Sequence, residues 1–262
     1  MPVFNPSKVF NSSKVAGEGS VFNEGTFQQV PASGSVVSLP SSTIAELLPS
    51  TYSGTGTSFA ANIGSTDWDA VLDAATPLPP YSSGPPAYFN GNGTNAMALA
   101  SNPTFVNGMH GSSAEWWIAM PIKTAGTIAT TGFCGTGAQL TDAGFRMIMT
   151  GTSLFLQVYN TSGSLALSQS ITHGLSTNTD HLIILNFKNG NTLDAYIDGS
   201  KTSFGANTIT SPSGASATNT MTIMEQPSGF TFATDVRFYG MAVGDTLLTD
   251  DDAAQIRTYY HS

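Results

Sequence analysis

The stretch His181–Gly199, HLIILNFKNGNTLDAYIDG, decides how the chain is read. Leu182, Ile184 and Asn186 alternate with Ile183, Leu185 and Phe187, so the run is apolar on both faces at a period of two. Asn189-Gly190 supplies residues that tolerate positive φ, as a type I′ hairpin turn requires. The chain returns through Leu193, Ala195 and Ile197 on one face, with Asp194, Tyr196 and Asp198 on the other. Asp198-Gly199 is a second turn signal and leads to Thr202 and Phe204. Two linked hairpins with a doubly apolar first strand form an antiparallel meander, and a second sheet must cover its inner strand. The expectation is a β-sandwich.

The same rhythm extends outward. Glu115–Lys123, EWWIAMPIK, puts Trp116, Ile118 and Met120 on one face and Trp117 and Ala119 on the other. Further strands are expected at Tyr88-Phe89, at 128–133, 144–150, 153–159, 165–171 and 220–225, and through Asp235–Val243, DVRFYGMAV. Short strands at this spacing, punctuated by Gly, Asn and Thr, make a two-sheet antiparallel sandwich of jelly-roll size. Residues 50–87 are loop-rich, with Trp68 as their one large anchor and a rigid proline segment from Pro77 to Pro86.

Two helices are expected. Thr43 and Glu46 have the spacing of a capping box and Pro49 would stop the turn, so 42–48 reads as a short helix. At the other end Thr249 caps a helix whose first turn is Asp250, Asp251 and Asp252, with Ala253, Ile256 and Tyr260 along one face. Dipole-favoured capping accounts for the three aspartates without a metal. Residues 1–44 have no sustained period, and Pro, Gly and Ser run through them. Phe4, Phe10, Phe22 and Phe27 would be wasted on a solvated tail, so this segment reads as an extended docking arm for assembly, preceding a sandwich domain over 45–262.

Composition narrows the partners. Charged residues are 10 % of the 262, against roughly 25 % in ordinary globular chains, and Ser, Thr, Gly, Asn and Ala fill the gap. A net charge of −9 with only eight Lys plus Arg disfavours nucleic acid and anionic membrane surfaces. No apolar run approaches the roughly 20 residues that span a bilayer, and MPVFNPSKVF does not read as a signal peptide. Cys134, in TTGFCGTG, reads as a small buried residue.

EWWIAMPIK, the Tyr196-Ile197-Asp198-Gly199 hairpin end, and DVRFYGMAVGDTLLTDDD together resemble the concanavalin A-like lectin/glucanase superfamily in its laminin G-like branch, over about residues 88–262. The resemblance implies two curved antiparallel sheets, and such domains are frequent in bacteriophage virions. Taken with the apolar-dotted arm, the low charge, the lack of a signal peptide and the lack of paired catalytic carboxylates, this leads to the expectation of a non-enzymatic structural protein, a capsid decoration or a tail or fibre component, made in the host cytoplasm. That protein would be oligomeric, most simply a trimer, and joined to other virion proteins by its arm. The alternative is an adhesin for host glycans, and the third reading is a glycoside hydrolase.

The residues speak against catalysis. The hydrolases of this superfamily carry paired carboxylates on one strand, and no E-x-D-x-(x)-E occurs here. No serine stands in a G-x-S-x-G elbow, and His110, His173, His181 and His261 show no metal-ligand spacing. No catalytic residue and no cofactor is therefore expected. Sugar recognition needs an aromatic plate with amide or carboxylate partners for hydroxyls. Trp117, Tyr159, Asn186, Tyr196 and Tyr239 are the candidates, with core packing as the competing role of Trp117. Asp142 and Asp180, in inter-strand loops, are the candidates for a rim calcium ion.

Overall fold

The computed structural model describes residues 37–72, 78–94, 97–128, 130–137, 142–160, 164–225 and 233–261. Phe4, Phe10, Phe22 and Phe27 lie outside them. The described chain is nearly all β. Its strands are β1 (Thr43–Leu47), β2 (Ser58–Phe59), β3 (Ala70–Leu72), β4 (Tyr81–Ser82), β5 (Tyr88–Asn90), β6 (Met97–Leu99), β7 (Glu115–Lys123), β8 (Thr131–Gly135) and β9 (Gly144–Met149). They continue with β10 (Ser153–Tyr159), β11 (Leu165–Thr172), β12 (Asp180–Lys188), β13 (Thr192–Ile197), β14 (Ser200–Ser203), β15 (Thr222–Ile223), β16 (Arg237–Phe238) and β17 (Met241–Gly244). Two α-helices accompany them, α1 (Thr104–Gly108) and α2 (Asp250–His261).

The strands form two antiparallel sheets that face each other. A nine-stranded sheet runs β14-β13-β12-β7-β16-β5-β4, with β17 also on β7 and β1 on β17. An eight-stranded sheet runs β11-β10-β9-β8-β15-β6-β3-β2. Between them lies one apolar core, to which β12 contributes Ile183, Leu185 and Phe187 and β7 contributes Trp116, Ile118, Met120 and Ile122. The eight-stranded sheet answers with Phe133, Phe145, Met147, Leu154, Leu156 and Val158. Cys134 is buried, and burial pushes its thiol far above the usual range, which makes it a packing residue.

β12 is apolar on its second face because a helix covers it there. Leu182 and Ile184 join Trp117, Ala119, Tyr196 and Ala242 beneath Ala253, Ile256 and Tyr260 of α2. The Thr249 hydroxyl accepts from the Asp252 amide while the Asp252 carboxylate accepts from the Thr249 amide at 2.9 Å, a reciprocal cap. Trp117 fits because Gly244 lies opposite it. A Cβ there would fall on the indole, whose Nε1–H donates to Ser42 Oγ at 3.1 Å. Leu39, within the stretch read as arm, is buried in the same cluster.

Two local expectations are corrected. Residues 43–47 form a strand, not a helix. Thr43 Oγ1 donates to the Pro40 carbonyl at 2.6 Å, and the backbone pairs with β17 from Leu47↔Met241 to Thr43↔Gly244. Pairing with β17 on one side, and the Glu46 amide donating to the Ile63 carbonyl at 3.0 Å on the other, hold this segment extended, so tertiary pairing overrides the local signature. The type I′ turn is displaced as well. Lys188 pairs with Thr192 across three residues, and of Asn189 and Gly190 only the glycine has positive φ, 73°. Ile197 pairs with Ser200 across Asp198-Gly199, whose φ values are 52° and 86°, so the two-residue I′ turn sits there.

Candidate functional site

The outer face of the nine-stranded sheet is covered by α2 at its centre and open at one end. Register brings four polar residues to the same level there: Asp180 of β12 faces Lys123 of β7, Lys123 faces Arg237 of β16, and Arg237 faces Asn90 of β5. Two residues further in, on the same face, stand Tyr88 and Tyr239, edge to face with centroids 5.9 Å apart. The guanidinium of Arg237 lies over the Tyr88 ring at 4.5 Å. The Tyr239 hydroxyl donates to Asp180 Oδ1 at 2.9 Å and also meets Arg237.

A cleft of about 510 Å³ opens above this floor. Pro80, Tyr81 and Ser82 form one wall, and Thr124, Gly126, Asn178 and Asp235 form the other. The second wall is tied internally: Thr124 Oγ1 donates to the Ser176 carbonyl at 2.6 Å and the Asn178 amide to the Ala125 carbonyl at 3.1 Å. Asn178 and Asp235 both hold positive φ, 56° and 63°, a conformation that Asn and Asp accept more readily than other side chains. The walls are thus set by backbone geometry before any ligand arrives.

The charges are individually placed. Burial raises the Asp180 carboxyl above its ordinary value, and the Tyr239 hydrogen bond and nearby cations oppose that rise. Burial and the neighbouring Asp180 together push the Tyr239 phenol up, so it stays a hydrogen-bond donor at neutral pH. Next to Asp180, His181 Nδ1 bonds Asp198 Oδ2 at 2.7 Å and Nε2 bonds the Ser176 carbonyl at 3.0 Å. Burial alone would lower this imidazole, but Asp198 and the carbonyl outweigh it and the net shift is upward. With an acceptor at each nitrogen, the ring acts as a double donor and offers no free lone pair for base chemistry.

The five sugar candidates divide. Tyr239 is buried against Tyr88, outside the residues that line the cleft, with its hydroxyl on Asp180 Oδ1. Trp117 is fully buried under α2, and Tyr196 donates its hydroxyl to Asp250 Oδ1 at 2.8 Å at the start of that helix. Asn186 is buried and clasps Leu248 by both amide ends, at 3.1 and 3.0 Å. Tyr159 is buried on the outer face of the other sheet, its hydroxyl donating to Gln157 at 3.2 Å. None of the five presents an open ring or a free amide in this chain. The calcium candidates stand apart: Asp142 accepts from Asn219 Nδ2 at 2.9 Å and Asp180 accepts from Tyr239. Among the described residues no three His, Cys, Asp or Glu side chains gather as a metal site.

The cleft adds Tyr88, Asn90, Lys123, Asn178, Asp235 and Arg237, which the sequence reading did not nominate. One signal was available. Lys123 and Arg237 are two of only eight cations, and each ends or begins an apolar strand, where a charge has little structural reason to be.

No family model matches the sequence, and no curated protein matches it significantly. Solved structures do. The binding domain of botulinum neurotoxin serotype D superposes with a TM-score of 0.59 at 8 % identity, over 83 % of this chain and 51 % of that one. The sialidase of Trypanosoma rangeli in complex with sialic acid gives 0.57 at 13 %, over 88 % and 35 %. The binding domain of botulinum neurotoxin DC in complex with SialylT gives 0.55 at 13 %, over 83 % and 51 %. This chain therefore spans about half of each toxin domain and about a third of the sialidase. At such identities the likeness concerns the fold alone, and the fold is a two-sheet antiparallel β-sandwich.

Proposed function

We propose that this chain is a non-enzymatic glycan-binding sandwich displayed on a phage particle, holding sugar in the Tyr88–Arg237 cleft and attached through residues 1–36, ahead of the segment that packs into the sandwich. The observation that carries the glycan reading is the lining of the cleft: half-buried tyrosines, the amides of Asn90 and Asn178, the Asp235 carboxylate and two cations on a preset floor. That mixture of apolar ring and convergent polar groups suits a ligand with hydroxyls on its edges and C–H groups on its faces. Two fold neighbours, a sialidase in complex with sialic acid and a toxin binding domain in complex with SialylT, favour a glycan as the ligand class here. The non-enzymatic reading rests on the occupied groups: Asp180 is engaged by Tyr239, and both nitrogens of His181 are bonded.

A glycan array with the full chain tests the binding half. Retention of at least one glycan is expected, with loss on Tyr88→Ala or Asn90→Ala and no loss on Tyr159→Phe. An array with no retained glycan overturns the reading, and so does release of reducing sugar during incubation. The display half is tested by deleting residues 1–36 in a phage carrying the gene. Particles should then lack the protein, and unchanged incorporation would end the anchoring idea.

A further inference from the structure

The cleft does not end at its second wall. A neighbouring depression of about 560 Å³ shares Gly126 and Asp235 with it and continues past Ala125, Thr127, Thr130, Ala233 and Thr234 to Gly93. The two form one trough with unlike halves. One half has Lys123 and Arg237 on its floor; the other is lined by threonine hydroxyls, small residues and Asp235 at the junction.

The cationic half is arranged against the ordinary preference of a sheet. Lys123 and Arg237 stand directly opposite each other on adjacent strands, and like charges so placed destabilise the pairing. The chain has 17 acidic residues to draw on, and Asp180 and Asp235 flank the pair. Yet among the described residues no carboxylate comes within 4.0 Å of either cationic nitrogen; the ion pairs lie at Asp198, Glu115, Asp194 and Asp250. Asp180 turns instead to the Tyr239 hydroxyl. The Arg237 guanidinium lies over Tyr88 at 4.5 Å and meets the Tyr239 hydroxyl, and its five N–H donors exceed what that one partner takes up, leaving donors for an anion. An arginine held over a ring next to a lysine, neither ion-paired among the described residues, is a seat for an anionic group with two oxygens to offer.

We infer that the trough selects acidic oligosaccharides: a sugar bearing a carboxylate or a sulfate sits over Lys123 and Arg237, and a neutral sugar runs along Thr127, Thr130 and Thr234. This deepens the proposed glycan binding and rests on it. The extended shape argues for more than one ring, and the asymmetry of the lining gives the chain of sugars a direction.

The test is an array in which each neutral oligosaccharide is printed beside a carboxylate-bearing and a sulfated counterpart, probed with the full chain at 50 and 300 mM NaCl. Retention of acidic members is expected at about tenfold the level of their neutral counterparts, weakening at the higher salt. Retention confined to carboxylated or to sulfated members identifies which anion the seat takes. Lys123→Gln and Arg237→Gln should each lower acidic retention about tenfold, with thermal melts showing that both variants fold. Equal retention of neutral and acidic members, or undiminished acidic retention in both variants, overturns the acidic-sugar inference while the glycan reading stands. No retention of any member overturns the glycan reading itself.

Discussion

The two sheets share a core but differ on their outer faces. Along β7 and β12 every interior position is buried, because α2 lies on the second face. Along β10 buried and half-exposed residues alternate, and β11 has exposed positions between its buried ones. The outer face there is a polar lattice. Arg146 Nε donates to Gln157 Oε1 at 2.6 Å, Gln157 Nε2 donates to Ser168 Oγ at 3.3 Å, and Arg146 stands over the Tyr159 ring at 5.1 Å. A strand's period therefore reports how many of its sides are covered, and on this molecule the count differs between sheets.

The largest expected effect tests that contrast directly. Trp117→Ala should lower stability by about 3–5 kcal/mol in urea unfolding, because it empties the volume between sheet and helix. Phe155→Ala, on the half-exposed face of β10, should cost less than about 1 kcal/mol. Equal losses would mean that the two faces are covered alike. Next comes the cover itself: Ile256 is fully buried, and Ile256→Ala should cost about 2–5 kcal/mol if α2 belongs to the cooperative unit. A helix that melts separately, seen by circular dichroism before the sheets unfold, would refute that.

A third prediction concerns pH. Glu46 of β1 is fully buried, accepts from Asn62 Nδ2 at 2.5 Å and from the Tyr259 and Tyr260 hydroxyls at 3.2 and 3.3 Å, and so ties β1 to the end of α2. Burial raises its carboxyl above the ordinary value, and the three hydrogen bonds only partly oppose this. With the folded pKa above the unfolded one, its contribution is full below the unfolded pKa, near 4.3, and is lost as pH rises through the folded value. Glu46→Gln should therefore change Tm little at pH 4 and raise it relative to the parent at pH 8, by about 2–4 °C for each kcal/mol recovered. A Tm difference that does not vary with pH would show that Glu46 ionises as freely in the folded chain as in the unfolded one. The smallest effect belongs to the other face. Arg146 is buried with one terminal nitrogen unbonded, so Arg146→Met should stay within about 1 kcal/mol of the parent. A loss of several kcal/mol would make the polar lattice as structural as the covered face.

Much of this architecture was legible beforehand. Period-two runs in β7, β10, β12 and β13, the turn at Asp198-Gly199 and the capped final helix are local patterns, each decided within a few residues. Trp117 shows where legibility stopped. Its parity on the strand showed that it faced away from the shared core, but whether that side met water, sugar or a helix depended on residues near 250 in the chain. Tyr196 and Asn186 were ambiguous for the same reason, and both proved to anchor the segment that leads into α2.

By itself the sequence determined an all-β sandwich, an aspartate-started helix at the end and a surface poor in charge, since alternation, turn chemistry and composition act without reference to distant partners. The tertiary structure alone decided that Thr43–Leu47 is a strand and that α2 buries the tryptophan nominated for sugar. It alone brought Asp180, Lys123, Arg237 and Asn90 into one row. The physical reason is the same in each case. Backbone pairing and apolar burial between distant segments outweigh local propensity, and cross-strand register, which places side chains next to one another, leaves no mark on the period of any single strand.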